Sequence, residues 1–166
     1  MEKIEIKGLY ANSIVLVGET IENVNKYLPT AKVFIVADEN VKKLHGKRFP
    51  KFPTYSVKPG EGSKCLEEVG KICQWLLENE ANRNSFILGI GGGVTCDLAG
   101  FVASVFMRGV GFGFVSTSLL SQVDASVGGK NGVNLYGYKN IVGTFTQPKF
   151  VICDINLLST LPQEEY

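Results

Sequence analysis

This sequence of 166 residues has few residues that could bind a metal, no closely spaced pair of cysteines, and almost no net charge. It has one histidine, His45, which lies next to Gly46 at a predicted helix end, where a cation that balances the helix dipole is the usual role. None of its four cysteines forms a C-x-x-C pair. A protein zinc site normally needs three or four His, Cys or carboxylate ligands, so we expect no metal site built from this chain alone. Without a secretion signal, we expect reduced, buried thiols at Cys65, Cys73, Cys96 and Cys153.

Segments that could enter a membrane or bind nucleic acid are also missing. No apolar run reaches the roughly 18 residues that indicate a membrane span, and the N-terminus lacks a signal-peptide core. The net charge of +1 gives no electrostatic footprint for nucleic acid. A hydrophobic content of 45% allows a normal core. We therefore expect a cytoplasmic globular protein with no nucleic-acid or membrane partner.

What is present is an alternation of short apolar segments and amphipathic ones. Strands are predicted at 14–17, 32–37, 54–57, 85–90, 112–115 and 150–153. Helices are predicted at about 20–28, 63–80, 94–107 and 118–123, with Ser63 capping the second of them. Because the strands are almost wholly apolar, the pattern indicates an α/β fold, Rossmann-like, with a mostly parallel sheet and helices on both faces.

Three consecutive glycines, Gly91 to Gly93, join a predicted strand to a predicted helix. Such a junction lets a ligand approach bare backbone, and the free N–H groups of the helix start suit a phosphate. The dinucleotide fingerprint G-x-G-x-x-G is not met, because Cys96 occupies the third glycine position and no acidic residue follows about 20 positions later. A tight turn explains the glycines equally well, and Asp97 could simply balance the helix N-terminus.

Polar residues follow most of the predicted strands. The carboxyl ends of parallel strands meet at one edge of a sheet, where ligands bind in this class of fold. Any one of these residues alone is more often a cap or a turn residue, but together they indicate a site at that edge. They are Asp38, Asn40, Gly60, Glu61, Lys64, Gly91, Gly92, Gly93, Asp97, Ser116, Thr117, Ser118 and Asp154.

A set of motifs in one order covers most of the chain. They are D-x-N-V at 38–41, G-E-x-x-K at 60–64, G-G-G-x-x-x-D-x-x-G-F at 91–101, R-G at 108–109, T-S-L-L-x-x-V-D-x-S-V-G-G-K at 117–130, Asn134, K-N at 139–140 and L-x-T-L-P at 158–162. This assembly closely resembles the N-terminal half of the 3-dehydroquinate synthase family, part of a superfamily of sugar-phosphate cyclases and metal-dependent dehydrogenases. Cys96 departs from it, because the family usually has glycine there.

The resemblance implies a role for each matched position. Substrate contacts would come from Asp124, Lys130 and Asn140. Arg108 would reach the neighbouring subunit's site in a homodimer and hold the phosphate of a sugar phosphate substrate, although a helix-terminal arginine explains it almost as well. The residues implied to bind NAD are Asp38, Asn40, Glu61, Lys64, Gly92, Gly93, Val94, Asp97, Thr117, Ser118, Leu120, Lys139, Thr160 and Leu161.

The family's reaction, as the resemblance implies, converts 3-deoxy-D-arabino-heptulosonate 7-phosphate to 3-dehydroquinate and phosphate. It is a phosphorus–oxygen lyase step of aromatic amino acid biosynthesis that uses NAD and a metal, zinc or cobalt. We expect residues 1–160 to form the NAD-binding domain and residues 161–166 to begin a helical metal-binding domain, so that this fragment alone is inactive. The alternatives are another sugar-phosphate cyclase, a metal-dependent dehydrogenase, or a stand-alone nucleotide-binding module.

Overall fold

The computed structural model describes residues 1–8 and 11–162 of the chain. Its three α-helices are α1 (Glu39–His45), α2 (Leu66–Glu78) and α3 (Gly93–Val105). Its strands are β1 (Glu2–Lys7), β2 (Asn12–Val17), β3 (Val33–Asp38), β4 (Thr54–Val57), β5 (Phe86–Gly91), β6 (Gly111–Ser116), β7 (Lys130–Leu135), β8 (Tyr138–Phe145) and β9 (Phe150–Cys153).

Seven of the strands form one sheet in the order β1-β2-β9-β6-β5-β3-β4. Every pairing in it is parallel except that of β1 with β2. The central strands β5 and β9 are buried at every position, which explains why their sequences read as continuous apolar runs. The predicted α/β, Rossmann-like, mostly parallel sheet is therefore confirmed.

The two faces of the sheet are covered differently. One face packs against α2, α3 and the β7–β8 hairpin, with Ile72 and Leu98 in its core. The other face packs against two 3-10 turns, at Ile21–Lys26 and Ile155–Thr160, and against the first turn of α1. Both faces thus carry helical segments, but only the first carries long ones.

The structure corrects several local predictions. The segment predicted as a helix at 20–28 is the 3-10 turn Ile21–Lys26, and the one at 118–123 is a single π-helical turn, Ser121–Ala125. Helix α2 begins at Leu66, after Cys65; Ser63 does not cap it, because its hydroxyl donates to the carbonyl of Lys58 (2.7 Å).

Strands β1, β7 and β8 were not predicted, and α1 was indicated only by its end at His45. All four thiols are free, as expected, but Cys65 and Cys73 are only partly buried. No helix within 1–8 and 11–162 is both long and apolar enough to cross a membrane. The predicted helix start after Leu161 falls largely on residues 163–166, which lie outside the described residues.

Candidate functional site

The first of two neighbouring cavities, cavity A, has a volume of about 460 Å³ and lies along the carboxyl ends of the parallel strands. Strands β3 and β5 are adjacent although β4 lies between them in sequence, so this edge contains the point where the chain reverses its winding direction. The cavity is lined after β3 by Asp38, Asn40, Val41, Lys43, Leu44 and His45; after β4 by Pro59 and Gly60; after β5 by Gly92, Gly93, Val94 and Thr95; after β6 by Thr117 and Ser118; and after β9 by Leu157, Thr160, Leu161 and Pro162.

The start of α3 gives cavity A its anion-binding character. Gly92 is the N-cap residue and supplies no side chain to cap the helix, so the first backbone N–H groups, beginning at Gly93, have no capping partner. A Cβ at Gly92 would lie 3.2 Å from the Oγ of Ser118, so a side chain there would narrow the passage between these two residues. Free N–H groups at the positive end of a helix dipole suit a phosphate.

Asp38 ends β3 and opens α1 as its N-cap. Its Oδ1 accepts from the backbone N–H groups of Asn40 (2.8 Å) and Val41 (3.1 Å). Among the described residues its second oxygen, Oδ2, accepts no hydrogen bond. Asp38 is therefore a structural cap that also presents one carboxylate oxygen at the wall of cavity A.

His45 lines cavity A, although the sequence indicated only a helix-terminal cation there. Its Nε2 lies 2.8 Å from the Oγ1 of Thr160. The Thr160 hydroxyl donates to the carbonyl of Leu157 (3.0 Å), so the imidazole is the donor to Thr160. Burial lowers the pKa of His45, with the positive charge of Arg48 as a second cause.

Other lining residues that were not predicted are neighbours of predicted ones. Leu44 is one helical turn after Asn40, Pro59 precedes Gly60, and Thr95 follows Val94. A helical reading of residues 39–45 would have placed Leu44 on the same face as Asn40. Leu44 was missed because no helix was assigned to that segment.

The second cavity, cavity B, has a volume of about 470 Å³ and lies between α3, the π-helical turn and the hairpin. It brings together Asp124, Lys130 and Asn140, which come from three successive elements of the chain: the π-helical turn, β7 and β8. The full lining is Asp97, Asp124, Ala125, Lys130, Asn131, Gly132, Asn140, Ile141, Gly143, Thr144 and Phe145.

Lys64 is a buried cation beside cavity B and lines neither cavity. Only 5% of the residue is exposed, and its Nζ lies 2.5 Å from the Oδ2 of Asp97 and 2.6 Å from the Oδ1 of Asn140. Burial raises the pKa of Asp97, and the hydrogen bond and charge of Lys64 oppose that rise. Asp97 thus pairs with Lys64 and faces cavity B rather than cavity A.

Four more predicted site residues lie outside both cavities. Glu61 accepts a hydrogen bond from the Nδ2 of Asn134 (2.9 Å), Leu120 is 65% exposed, and Lys139 is exposed on β8. Arg108 follows the far end of α3, at the sheet edge opposite the cavities, and its backbone is left-handed (φ 67°). Arg108 therefore lies at the opposite end of α3 from both cavities.

Cys96, which departs from the family pattern, lies in the core rather than in a cavity. It is fully buried, and its Sγ lies 3.6 Å from the carbonyl oxygen of Gly91. Burial raises the pKa of this thiol. Within 1–8 and 11–162 there is no group of three His, Cys, Asp or Glu side chains that could hold a metal ion.

The sequence matches a known protein family. The family described as 3-dehydroquinate synthase N-terminal matches residues 54–166. The chain belongs to the 3-dehydroquinate synthase family. It is 46% identical over 140 residues to the 3-dehydroquinate synthase of Alkaliphilus metalliredigens, covering 81% of this chain and 39% of that protein. It is 39% identical over 166 residues to that of Alkaliphilus oremlandii, covering 96% of this chain and 44% of that protein.

This member of the 3-dehydroquinate synthase family therefore spans about two fifths of the length of the curated relatives it matches. Among solved structures, it is similar to 2-deoxy-scyllo-inosose synthase complexed with carbaglucose-6-phosphate, NAD+ and Co2+. The TM-score is 0.85 at 27% identity, over 99% of this chain and 48% of that chain.

Proposed function

We propose that residues 1–160 are the NAD-binding domain of a 3-dehydroquinate synthase. The observation that carries the proposal is cavity A, where the uncapped start of α3 and the free oxygen of Asp38 lie at the carboxyl edge of one sheet. An anion site next to a ribose-binding carboxylate is the combination that a dinucleotide requires. The related cyclase structure with NAD+ supports the same assignment.

The pyrophosphate and the adenosine ribose of the cofactor each have matching residues in this proposal. The pyrophosphate would accept hydrogen bonds from the N–H groups of Gly93 and Val94, and the adenosine ribose would donate to Asp38. Thr117, Ser118 and the Thr160–Leu161 segment would form the remaining wall. NAD, when bound, supplies a hydride acceptor and donor, and the role of this chain is to hold and orient it.

We assign the sugar phosphate substrate, 3-deoxy-D-arabino-heptulosonate 7-phosphate, to cavity B. Lys130 offers an ammonium group to an anionic oxygen, and Asn140 offers amide N–H groups. Asp124 offers a carboxylate acceptor for a ring hydroxyl or its proton. The reaction would be the phosphorus–oxygen lyase step that yields 3-dehydroquinate and phosphate.

The proposal includes a homodimer in which Arg108 serves the partner's site. It is supported by the position of Arg108 at the sheet edge away from its own cavities, and a guanidinium suits bidentate binding of phosphate. It also includes zinc or cobalt. The described residues offer no three-ligand group, so we assign the metal ligands to the part of the relatives that lies beyond the matched segment.

A second candidate function, another sugar-phosphate cyclase, is favoured by one observation. The chain superposes over 99% of its length on a cyclase whose structure contains carbaglucose-6-phosphate. The two candidates differ in the sugar phosphate that cavity B accepts. Titration of the NAD-loaded chain with 3-deoxy-D-arabino-heptulosonate 7-phosphate and with glucose 6-phosphate separates them, because each candidate predicts tighter binding of its own sugar phosphate.

Calorimetric titration of the chain with NAD tests the cofactor assignment directly. We expect saturable binding by the wild type and a loss of roughly tenfold in affinity for Gly92→Ala, whose Cβ would enter the passage beside Ser118. Gly62→Ala is the matched control, because no atom lies within 4 Å of its added Cβ and it lines neither cavity.

Two results would contradict the proposal: no binding of NAD by the wild type, or equal losses in the two glycine variants. Phosphate release from the sugar phosphate by residues 1–166 is expected to stay at background with NAD and zinc present. Steady turnover by this chain would overturn the assignment of the metal ligands to a separate part of the relatives.

A further inference from the structure

The segment that follows β4 is joined to the β7–β8 hairpin by a short hydrogen-bond network. The backbone N–H of Asn134 donates to the carbonyl of Lys64 (2.9 Å), and its Nδ2 donates to the Oε1 of Glu61 (2.9 Å). The Oδ1 of Asn134 accepts from the backbone N–H of Asn140 (2.9 Å). A loop whose start lines cavity A is thus fixed to the hairpin that lines cavity B.

Lys64 determines whether the oxygen or the nitrogen of the Asn140 side-chain amide points toward it. An ammonium group only donates, so the atom 2.6 Å from Nζ must be the amide oxygen of Asn140. The opposite end, Nδ2 with its two N–H groups, then points away from Lys64. Among the described residues no acceptor takes a hydrogen bond from that nitrogen, and Asn140 lines cavity B.

The backbone of Asn140 is held as well. Its φ of 54° is in the left-handed region, which asparagine tolerates better than most residues, and the hydrogen bond to Asn134 holds it there. The ammonium of Lys64 is held in turn by Asp97, whose Oδ2 lies 2.5 Å away. Both the main chain and the side chain of Asn140 are therefore held by neighbours outside the cavity.

We infer that Lys64 is a positioning residue that aims the N–H donors of Asn140 into cavity B, toward an oxygen of the sugar phosphate. The inference rests on the proposed function for the identity of the ligand but not for the geometry. A compact ammonium serves this purpose because it can donate to Asp97 and to Asn140 at once. Lys64 acts through Asn140 and is not itself assigned a contact with the substrate.

A double-mutant cycle measures the coupling between the two residues. The affinity of the NAD-saturated chain for 3-deoxy-D-arabino-heptulosonate 7-phosphate is compared among wild type, Lys64→Met, Asn140→Ala and the double variant. We expect each single change to weaken binding roughly tenfold and the double variant to bind no more weakly than Asn140→Ala. Lys71→Met, which removes a surface lysine from α2, is the control and should not change the affinity.

Additive losses in the double variant would overturn the inference, because they would show that Lys64 acts independently of Asn140. A lower melting temperature with unchanged sugar-phosphate affinity would also overturn it, since that is the result of a purely structural ion pair. Failure of the wild type to bind the sugar phosphate counts against the proposed function, and a ligand-free measurement then tests the inference.

That measurement is the nitrogen-15 spectrum of the side chains. In the wild type we expect a slowly exchanging Lys64 ammonium signal and one defined pair of Asn140 amide protons. Lys64→Met should shift the Asn140 pair, and Lys71→Met should not. If Lys64→Met does not fold, the wild-type spectrum decides alone, because a rapidly exchanging Lys64 ammonium would contradict the inference.

Discussion

The Nε2 of His45 lies 2.8 Å from the Oγ1 of Thr160, joining the end of α1 to the segment that follows β9. The two residues are 115 positions apart in the sequence, and both line cavity A. Thr160 in turn donates to the carbonyl of Leu157. This link fixes one wall of the cavity against another that belongs to a different strand.

We predict that His45 is the Nε2–H tautomer and titrates below pH 6.5, because burial lowers its pKa. The neutral form is favoured by folding, so its contribution to stability is complete above pH 6.5 and is lost as the pH falls through the lowered pKa. Nitrogen-15 spectra of the imidazole test both statements. An Nδ1–H tautomer would contradict the hydrogen-bond assignment.

The hydrogen bond between His45 and Thr160 should also affect the binding of NAD. His45→Ala should weaken NAD binding by roughly 1 kcal/mol, because the Thr160 wall loses its tether. His45→Gln keeps a donor and should retain more of the affinity. Calorimetric titration with NAD distinguishes them, and identical behaviour of the two variants would show that the imidazole ring rather than its hydrogen bond matters.

Asp38 is predicted to select NAD over NADP. Its free carboxylate oxygen would accept from a ribose hydroxyl and repel a 2′-phosphate. Asp38→Ala should weaken NAD binding by roughly 1–3 kcal/mol and also destabilise the fold by about 1 kcal/mol, since the cap of α1 is lost. Titration with each cofactor and thermal unfolding are the measurements.

Asp38→Asn separates the two roles of this residue. Asparagine also caps helices well, so the melting temperature should be close to that of the wild type, whereas the preference for NAD over NADP should decrease. Equal or tighter binding of NADP by the wild type would contradict the assignment of Asp38 to the ribose.

Gly100 is predicted to be irreplaceable by alanine. A Cβ there would lie 2.7 Å from the Cγ of Asn131, which cannot move without losing its hydrogen bonds to the carbonyls of Gly129 (3.0 Å) and Thr146 (2.9 Å). We expect Gly100→Ala to destabilise the fold by about 1–3 kcal/mol. Urea unfolding followed by circular dichroism measures the loss.

Alanine is expected to have the opposite effect at Gly70. It lies exposed in α2, and no atom is within 4 Å of an added Cβ. Gly70→Ala should stabilise the protein by about 1 kcal/mol, because alanine favours the helix. Similar effects at both glycines would show that helix propensity outweighs the contact between α3 and β7.

Glu19 is predicted to contribute to the acid sensitivity of the fold. Hydrogen bonds from the Tyr27 hydroxyl, the Asn23 amide and the Thr20 N–H lower its pKa from 4.5 to about 2. Its contribution to stability is therefore complete above pH 4.5 and is lost as the pH falls toward 2.

Glu19→Gln should accordingly lower the free energy of unfolding near pH 7 and make its decline between pH 4.5 and 2 shallower. Urea unfolding at several pH values measures this, with Glu2→Gln, on the exposed strand β1, as the control. Parallel pH profiles for wild type and Glu19→Gln would contradict the assignment.

The predictable part of the fold is the part that is buried. Strands β2, β3, β5, β6 and β9 are mainly buried and apolar, and the structure contains all of them; the short strand β4, with only Val57 buried, was also predicted. The β7–β8 hairpin was missed because β8 is exposed over most of its length and has no apolar alternation. Its turn is set instead by Tyr136 and Gly137, both with positive φ, a backbone signal that apolar patterns do not contain.

The candidate site was likewise predictable where it depends on the buried strands and not where it depends on the hairpin. The strand-end rule put Asp38, Gly92 and Thr117 at one edge, and the structure brings them together around cavity A. The contacts of Lys64 with Asp97 and Asn140 were not predicted. Its direction depends on the hairpin, so it could not be derived before that element was known.

The walls of cavity A come from five separate segments spread between Asp38 and Pro162, so no short portion of the chain forms it. The cavity exists only when the whole sheet is assembled, and a ligand that occupies it binds the native state alone. Mass action then links occupancy to unfolding: at a free concentration 100 times its Kd, such a ligand raises the free energy of unfolding by about 2.7 kcal/mol. The apparent melting temperature of this domain should therefore follow the amount of ligand available to it.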